Sequence, residues 1–154
     1  MDAVQLLLEI ESIKQLKYRY QRSVDMHDWD GLADCFVPDA VCAYGDGEFT
    51  FTGRESIISF LRSVMDRNGM LSSHQVHHPE IAVTSDTTAT GVWALHDSVI
   101  DLDNDSYYVG AAYYHDEYVK QDGQWRIAHT GYERIWEQYQ TRSTSGWKLG
   151  MPGL

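Results

Sequence analysis

A chain of 154 residues has room for one hydrophobic core, since two would each bury too little surface to be stable, and its 43% hydrophobic and 23% charged residues are ordinary for a globular domain. The formal charge of -11 repels phosphate backbones and anionic lipids, which excludes charge-driven binding to nucleic acid or to a membrane surface and disfavours large polyanionic ligands. Aromatic residues, 12% of the chain, are numerous enough to line a pocket.

The chain opens Met1-Asp2-Ala3 and runs straight into a helical pattern, without the basic start and apolar run of a secretion leader, so a cytoplasmic protein is expected. Asp2 is the predicted N-cap. Leu6, Ile10, Ile13, Leu16, Tyr20 and Val24 then recur at the three-to-four spacing of one long amphipathic helix. A second, short helix is predicted from Asp28 to Phe36, ended by a turn at Pro38-Asp39. Val41 to Tyr44 and Phe49 to Phe51, joined through Gly45-Asp46-Gly47, read as a hairpin. A third helix is predicted from Arg54 to Arg67, with Ile57, Ile58, Leu61 and Met65 on one face and Asn68-Gly69 as its stop signal.

From about Ser73 onward β-branched and aromatic residues dominate, interrupted at Ser85-Asp86, at Asp103-Asn104-Asp105 and at Asp122-Gly123. Four long antiparallel strands fit these interruptions. Helices followed by a long meander predict an α+β fold, a cone-shaped barrel in which helices close one face of a strongly curved, mostly antiparallel mixed sheet around an apolar hollow. A single domain is expected over residues 1–140. The tail from Thr141 to Leu154, with Trp147, Leu149 and Met151, reads equally as a lid over the mouth or as a loose end.

The two cysteines, Cys35 and Cys42, form no CxxC pair and have no metal-ligand spacing to a histidine, so two reduced, partly buried thiols are expected. His74, His77 and His78 cluster without an HExxH arrangement, and adjacent strand residues point to opposite faces. No metal and no cofactor are expected.

Strand parity sorts the polar residues that face inward. Trp93, Leu95, Asp97 and Val99 share a face, which sets one carboxylate among large apolar groups, and His77 has the parity of Ile81 and Val83. His77 is therefore the predicted inward histidine. Tyr20 lies on the apolar stripe of the first helix and Asp25 at its end. Singly, Tyr20 fits a core residue, Asp25 a solvated helix end and Arg134 an outward partner of Glu133 or Glu137. Together they suit the removal of a proton from carbon. A carboxylate fixes an imidazole's tautomer and leaves its other nitrogen basic, while a Tyr or an Arg stabilises charge developing on oxygen.

Ile13-Lys14-Gln15-Leu16-Lys17-Tyr18-Arg19-Tyr20, Asp25 with Trp29, His77-His78-Pro79-Glu80-Ile81, Thr88 to Trp93, Asp122-Gly123-Gln124-Trp125 and Gly131 to Ile135 resemble the SnoaL-like branch of the nuclear transport factor 2-like superfamily, over residues 9 to 139. Within it the chain resembles the bile-acid 7α-dehydratase type and, more distantly, scytalone dehydratase and hexachlorocyclohexane dehydrochlorinase. The resemblance implies a cofactor-independent elimination by an Asp-His dyad, which it carries onto Asp25 and His77, with Tyr20, Asp97 and Arg134 completing the set. It also implies a homo-oligomer, a trimer before a dimer. Trp93, Leu95, Tyr113 and Trp29 are candidate substrate contacts.

The expected activity is a dehydratase-type lyase acting on a hydrophobic cyclic molecule of steroid, terpenoid or polyketide type. The alternatives are a dehydrohalogenase, an isomerase that returns the proton elsewhere, and a non-catalytic small-molecule binding domain.

Overall fold

The computed structural model describes residues 1–146 and 148–150. Helix α1 spans Ala3–Asp25, and the Asp2 carboxylate caps it by accepting from the Gln5 backbone N–H at 2.8 Å. Helix α2, Trp29–Ala33, is capped in the same way by Asp28 on Gly31. Strands β1 (Phe36–Tyr44) and β2 (Phe49–Thr52) form the hairpin, and Gly53, at φ 90, turns the chain into α3 (Arg54–Met65). A side chain is strained at such a φ, which is why glycine sits there.

The predicted turn at Pro38-Asp39 is instead part of β1. Val37 is buried while Pro38 and Asp39 are exposed, and the β1–β6 pairing changes register between Phe36 and Val41. The irregularity absorbs the proline, which has no N–H to give to a ladder.

The meander follows as expected: β3 Met70–Val83, β4 Thr88–Asp101, β5 Ser106–Gln121 and β6 Gln124–Thr141. Asp122 and Gly123, both at positive φ, make the tight β5–β6 turn that Asp-Gly favours. The sheet order is β2-β1-β6-β5-β4-β3, antiparallel except where β1 lies parallel to β6. Helices cover one face of this curved mixed sheet, the α+β cone predicted above.

On β4 the odd positions from Ala89 to Asp101 are buried, and on β5 the even positions from Gly110 to Tyr118 are buried. These faces meet α1, whose Ile13, Leu16, Tyr20 and Val24 enter the core. Within this core lies a charged cluster. Lys17, fully buried, sets its Nζ 2.7 Å from Asp116 and 3.4 Å from the centre of the Tyr114 ring. Asp116 also accepts from Tyr118 and Thr130 at 2.7 Å each, and Tyr118 accepts from the Trp93 indole at 2.9 Å. Burial pulls the Lys17 ammonium below its ordinary range, and Asp116 counteracts this. Cys35 and Cys42 are free and fully buried, further in than expected.

After β6 a single turn of helix, α4 (Arg142–Ser145), is tied to the β4–β5 turn by backbone N–H bonds from Arg142 and Ser143 to Asp105. Arg142, Ser145, Lys148 and Leu149 share a shallow cleft with Ser98, Ile100, Tyr107 and Gln140. Ser98 and Ile100 belong to the β4 face that points away from α1. This part of the tail therefore lies on the outer face of the sheet. Trp147 and residues 151–154, which the lid expectation also named, lie outside the described residues. Among the described residues no helix is long and apolar enough to cross a membrane.

Candidate active site

Asp25, in the last turn of α1, reaches β3. Its Oδ1 lies 2.6 Å from His74 Nδ1 and accepts from the Ser72 hydroxyl at 2.8 Å, while its Oδ2 accepts from the His74 backbone N–H at 2.9 Å. Burial pushes the Asp25 carboxyl up, but the bonds from His74 and Ser72 outweigh it and hold the group below the ordinary aspartate value. A carboxylate so placed accepts a hydrogen bond from the Nδ1–H of a neutral imidazole. Nε2 is then the free, basic nitrogen, and no partner for it is found among the described residues.

The predicted partner of Asp25 was His77, and the structure corrects it. His77 is exposed, its ring 5.9 Å from that of His78. The reason is a β-bulge. The sum of paired positions across β3 and β4 changes between His77↔Ala94 and Glu80↔Val92, so β3 carries one extra residue there, and His78 adopts φ 48. Parity counted back from Ile81 and Val83 is inverted upstream of the bulge. Ser72, His74 and Val76 take the inward side, and His77 faces away.

Asp97 is inward, as predicted, and 1% exposed. Arg134, inward as well, grips it with two bonds of 2.6 Å, Nη1 to Oδ1 and Nη2 to Oδ2, and the guanidinium lies 4.8 Å from the centre of the Tyr132 ring. Burial opposes the charge on Arg134, yet Asp97 more than restores it. The bridge crosses β5 at Gly110, where a Cβ would stand 2.7 Å from Arg134 Nη1. Asp97 is also the direct cross-strand partner of His74. The dyad and the ion pair therefore occupy neighbouring positions on one face.

Tyr20 is 2% exposed and its hydroxyl is 2.9 Å from that of Tyr44, packed edge-on against Phe36 and Tyr114. Trp93 and Leu95 are inward and fully buried. Tyr113 is not a wall of the interior. It is 46% exposed, because odd positions of β5 face away from α1. Trp29 lies elsewhere too, stacked on His27 and lining a groove with Arg54, Ile58 and Arg62 between α2 and α3.

A groove of about 460 Å³ between α1 and β3 is lined by Tyr18, Gln21, Arg22, Asp25 and Met26 of the helix end and by His74, Gln75, Val76 and His77 of the strand. Gln21, one helical turn before Asp25, is a site residue that the sequence reading passed over, although its i,i+4 spacing from Asp25 places the two on one helix face. Among the described residues no group of three or more His, Cys, Asp or Glu side chains is arranged to hold a metal ion.

A helix-covered, six-stranded mixed sheet with a carboxylate–imidazole pair on its concave side defines the class of the protein: an α+β cone with a candidate acid-base site. Residues 5–131 match the SnoaL-like domain, and the chain belongs to that family. It is similar in structure to a hexachlorocyclohexane dehydrochlorinase of type 2, at 19% identity over 99% of this chain and 100% of that one, with a TM-score of 0.84. A provisionally named scytalone dehydratase from Novosphingobium aromaticivorans is similar at 23% identity over 89% and 91% of the two chains, with a TM-score of 0.82. ActVI-ORFA from Streptomyces coelicolor follows at 16% identity over 82% and 96%, with a TM-score of 0.70. At these identities the likeness is one of fold.

Proposed function

We propose that the protein is a cofactor-independent lyase that removes water from a hydrophobic cyclic substrate, with His74 as the base and Asp25 as the group that orients it. The observation that carries this reading is the 2.6 Å contact between Asp25 and His74 Nδ1, made at 14% and 22% exposure of the His and Asp side chains, which leaves Nε2 unpartnered. The names of the similar proteins, a dehydrochlorinase and a dehydratase, support elimination as the reaction type.

In the reaction, His74 Nε2 takes a proton from the carbon next to a carbonyl. The C–H electron pair forms the new double bond as the C–O bond breaks at the neighbouring carbon. The departing oxygen takes the proton back from the imidazolium and leaves as water, so the histidine returns to its neutral state. The carbonyl is needed because an imidazole is too weak a base to deprotonate an unactivated carbon. The Asp97–Arg134 pair keeps a fixed charge distribution beside His74 without spending either group on solvent.

Incubation of the protein with fused-ring β-hydroxy ketones, followed by mass spectrometry, tests the proposal. Products lighter by one water support it. Products of unchanged mass would instead identify an isomerase, and release of halide from a chlorinated analogue alone would identify a dehydrohalogenase.

A further inference from the structure

Gln21 is 4% exposed, and neither its amide nitrogen nor its amide oxygen completes a hydrogen bond within the protein. The Tyr114 hydroxyl lies near enough to be influenced by the amide, but not in hydrogen-bonding geometry with it. A buried amide left in this state costs about 1–3 kcal/mol, and such groups are rare in folded proteins. Nothing in the local fold requires it, since a leucine or methionine would fill the same helix position with equal propensity and no polar atoms to satisfy. The residue also lines the groove that holds Asp25 and His74, four residues before Asp25 on the same helix.

We infer that Gln21 is the specificity-determining residue of this site, and that its amide binds the carbonyl oxygen of a β-hydroxy ketone substrate. The inference rests on the elimination proposed above and names its substrate class. When His74 takes the proton, negative charge moves onto the carbonyl oxygen, and an N–H of Gln21 donates to it. The amide oxygen remains to accept from the substrate's β-hydroxyl, which lies within reach of the same planar group when both substrate oxygens are on one edge. Tyr20, the residue expected to meet a substrate oxygen, has its hydroxyl joined to that of Tyr44 instead. Gln21 is the group that fills this role.

The experiment compares Q21L and H74A with the unaltered protein on a fused-ring β-hydroxy ketone, and measures the thermal midpoint of each. It also records the absorption band of the corresponding enone when bound. For Q21L the expected result is a loss of kcat of about 100- to 1000-fold, the effect of removing one donor to a developing oxyanion. Its thermal midpoint should stay level or rise, because the substitution removes an unsatisfied buried amide. The enone band should shift to the red in the unaltered protein and not in Q21L. Unchanged turnover and an unchanged band shift in Q21L, with H74A inactive, would overturn the role of Gln21 while leaving the elimination intact. Full activity in H74A would overturn the underlying reaction. A fall in thermal midpoint with kcat preserved would make Gln21 a packing residue.

Discussion

His74 on β3 and Asp97 on β4 are direct cross-strand partners, and their side chains share the face that meets α1. Each is held by a different element: Asp25 of α1 grips the imidazole, and Arg134 of β6 grips the carboxylate. One helix-to-strand anchor and one strand-to-strand anchor thus converge within one pair of residues. This places the candidate site where the curvature of the sheet and the end of α1 are both fixed.

Replacing Asp25 by Asn keeps the shape of the pair but lets the amide N–H face His74 Nδ1, which favours the wrong tautomer. D25N is expected to lose about 100- to 10,000-fold in kcat with little change in substrate affinity. Steady-state kinetics with a fluorescence-detected binding measurement separates the two.

Gly110 is glycine because the Arg134 guanidinium passes over it. G110A drives a methyl against Arg134 Nη1 and should cost about 1–3 kcal/mol as an overpacked site. D97A should cost more, about 3–5 kcal/mol, since it removes both 2.6 Å bonds and leaves Arg134 only the longer, 3.7 Å contact to Glu137. Denaturant unfolding of both variants checks the order.

The buried Lys17–Asp116 pair behaves as a unit. D116A strands a fully buried ammonium and should destabilise by about 3–5 kcal/mol, whereas the double variant K17M/D116A should recover part of that loss, the Tyr118 and Thr130 hydroxyls still lacking their acceptor. A double-mutant cycle measures the coupling.

Arg67 bonds Asp101 at 2.9 Å and, with Asn104, lowers its carboxyl to about 2. The folded value lies below the ordinary aspartate value of 3.8, so the stabilisation is present at neutral pH and is lost as pH falls from about 4 toward about 2. Asp25, also lowered, works in the same sense. With Arg67 one-third exposed, solvent screening keeps the contribution small. R67A should therefore have a reduced thermal midpoint at neutral pH and nearly the same midpoint as the unaltered protein at about pH 2.

Much of the architecture is legible in the chain because local signals agree with the global fold. The Asp2 cap, the α1 periodicity, Gly53 before α3 and the Asp-Gly turn each have one structural solution. The site is only partly legible, and the failure has a location. Alternation holds along a strand until a bulge inserts a residue, and then every side chain upstream changes face. Pro79 was the available signal, since proline inside a strand marks an edge or a bulge. Reading the parity of β3 from Met70 forward, rather than from Ile81 back, puts His74 inside. Lys17 and Asp116 were missed for a different reason. Each is ordinary in sequence, and only the crossing of α1 over β5 makes them partners.

Turnover of H74A and H77A on a fused-ring β-hydroxy ketone, with circular dichroism to establish that both are folded, measures most directly which histidine is the base. H74A should lose at least about 100-fold in kcat/KM while H77A stays within about threefold of the unaltered protein. The reverse order, or equal activity in the two variants, would contradict the assignment of His74 as the base.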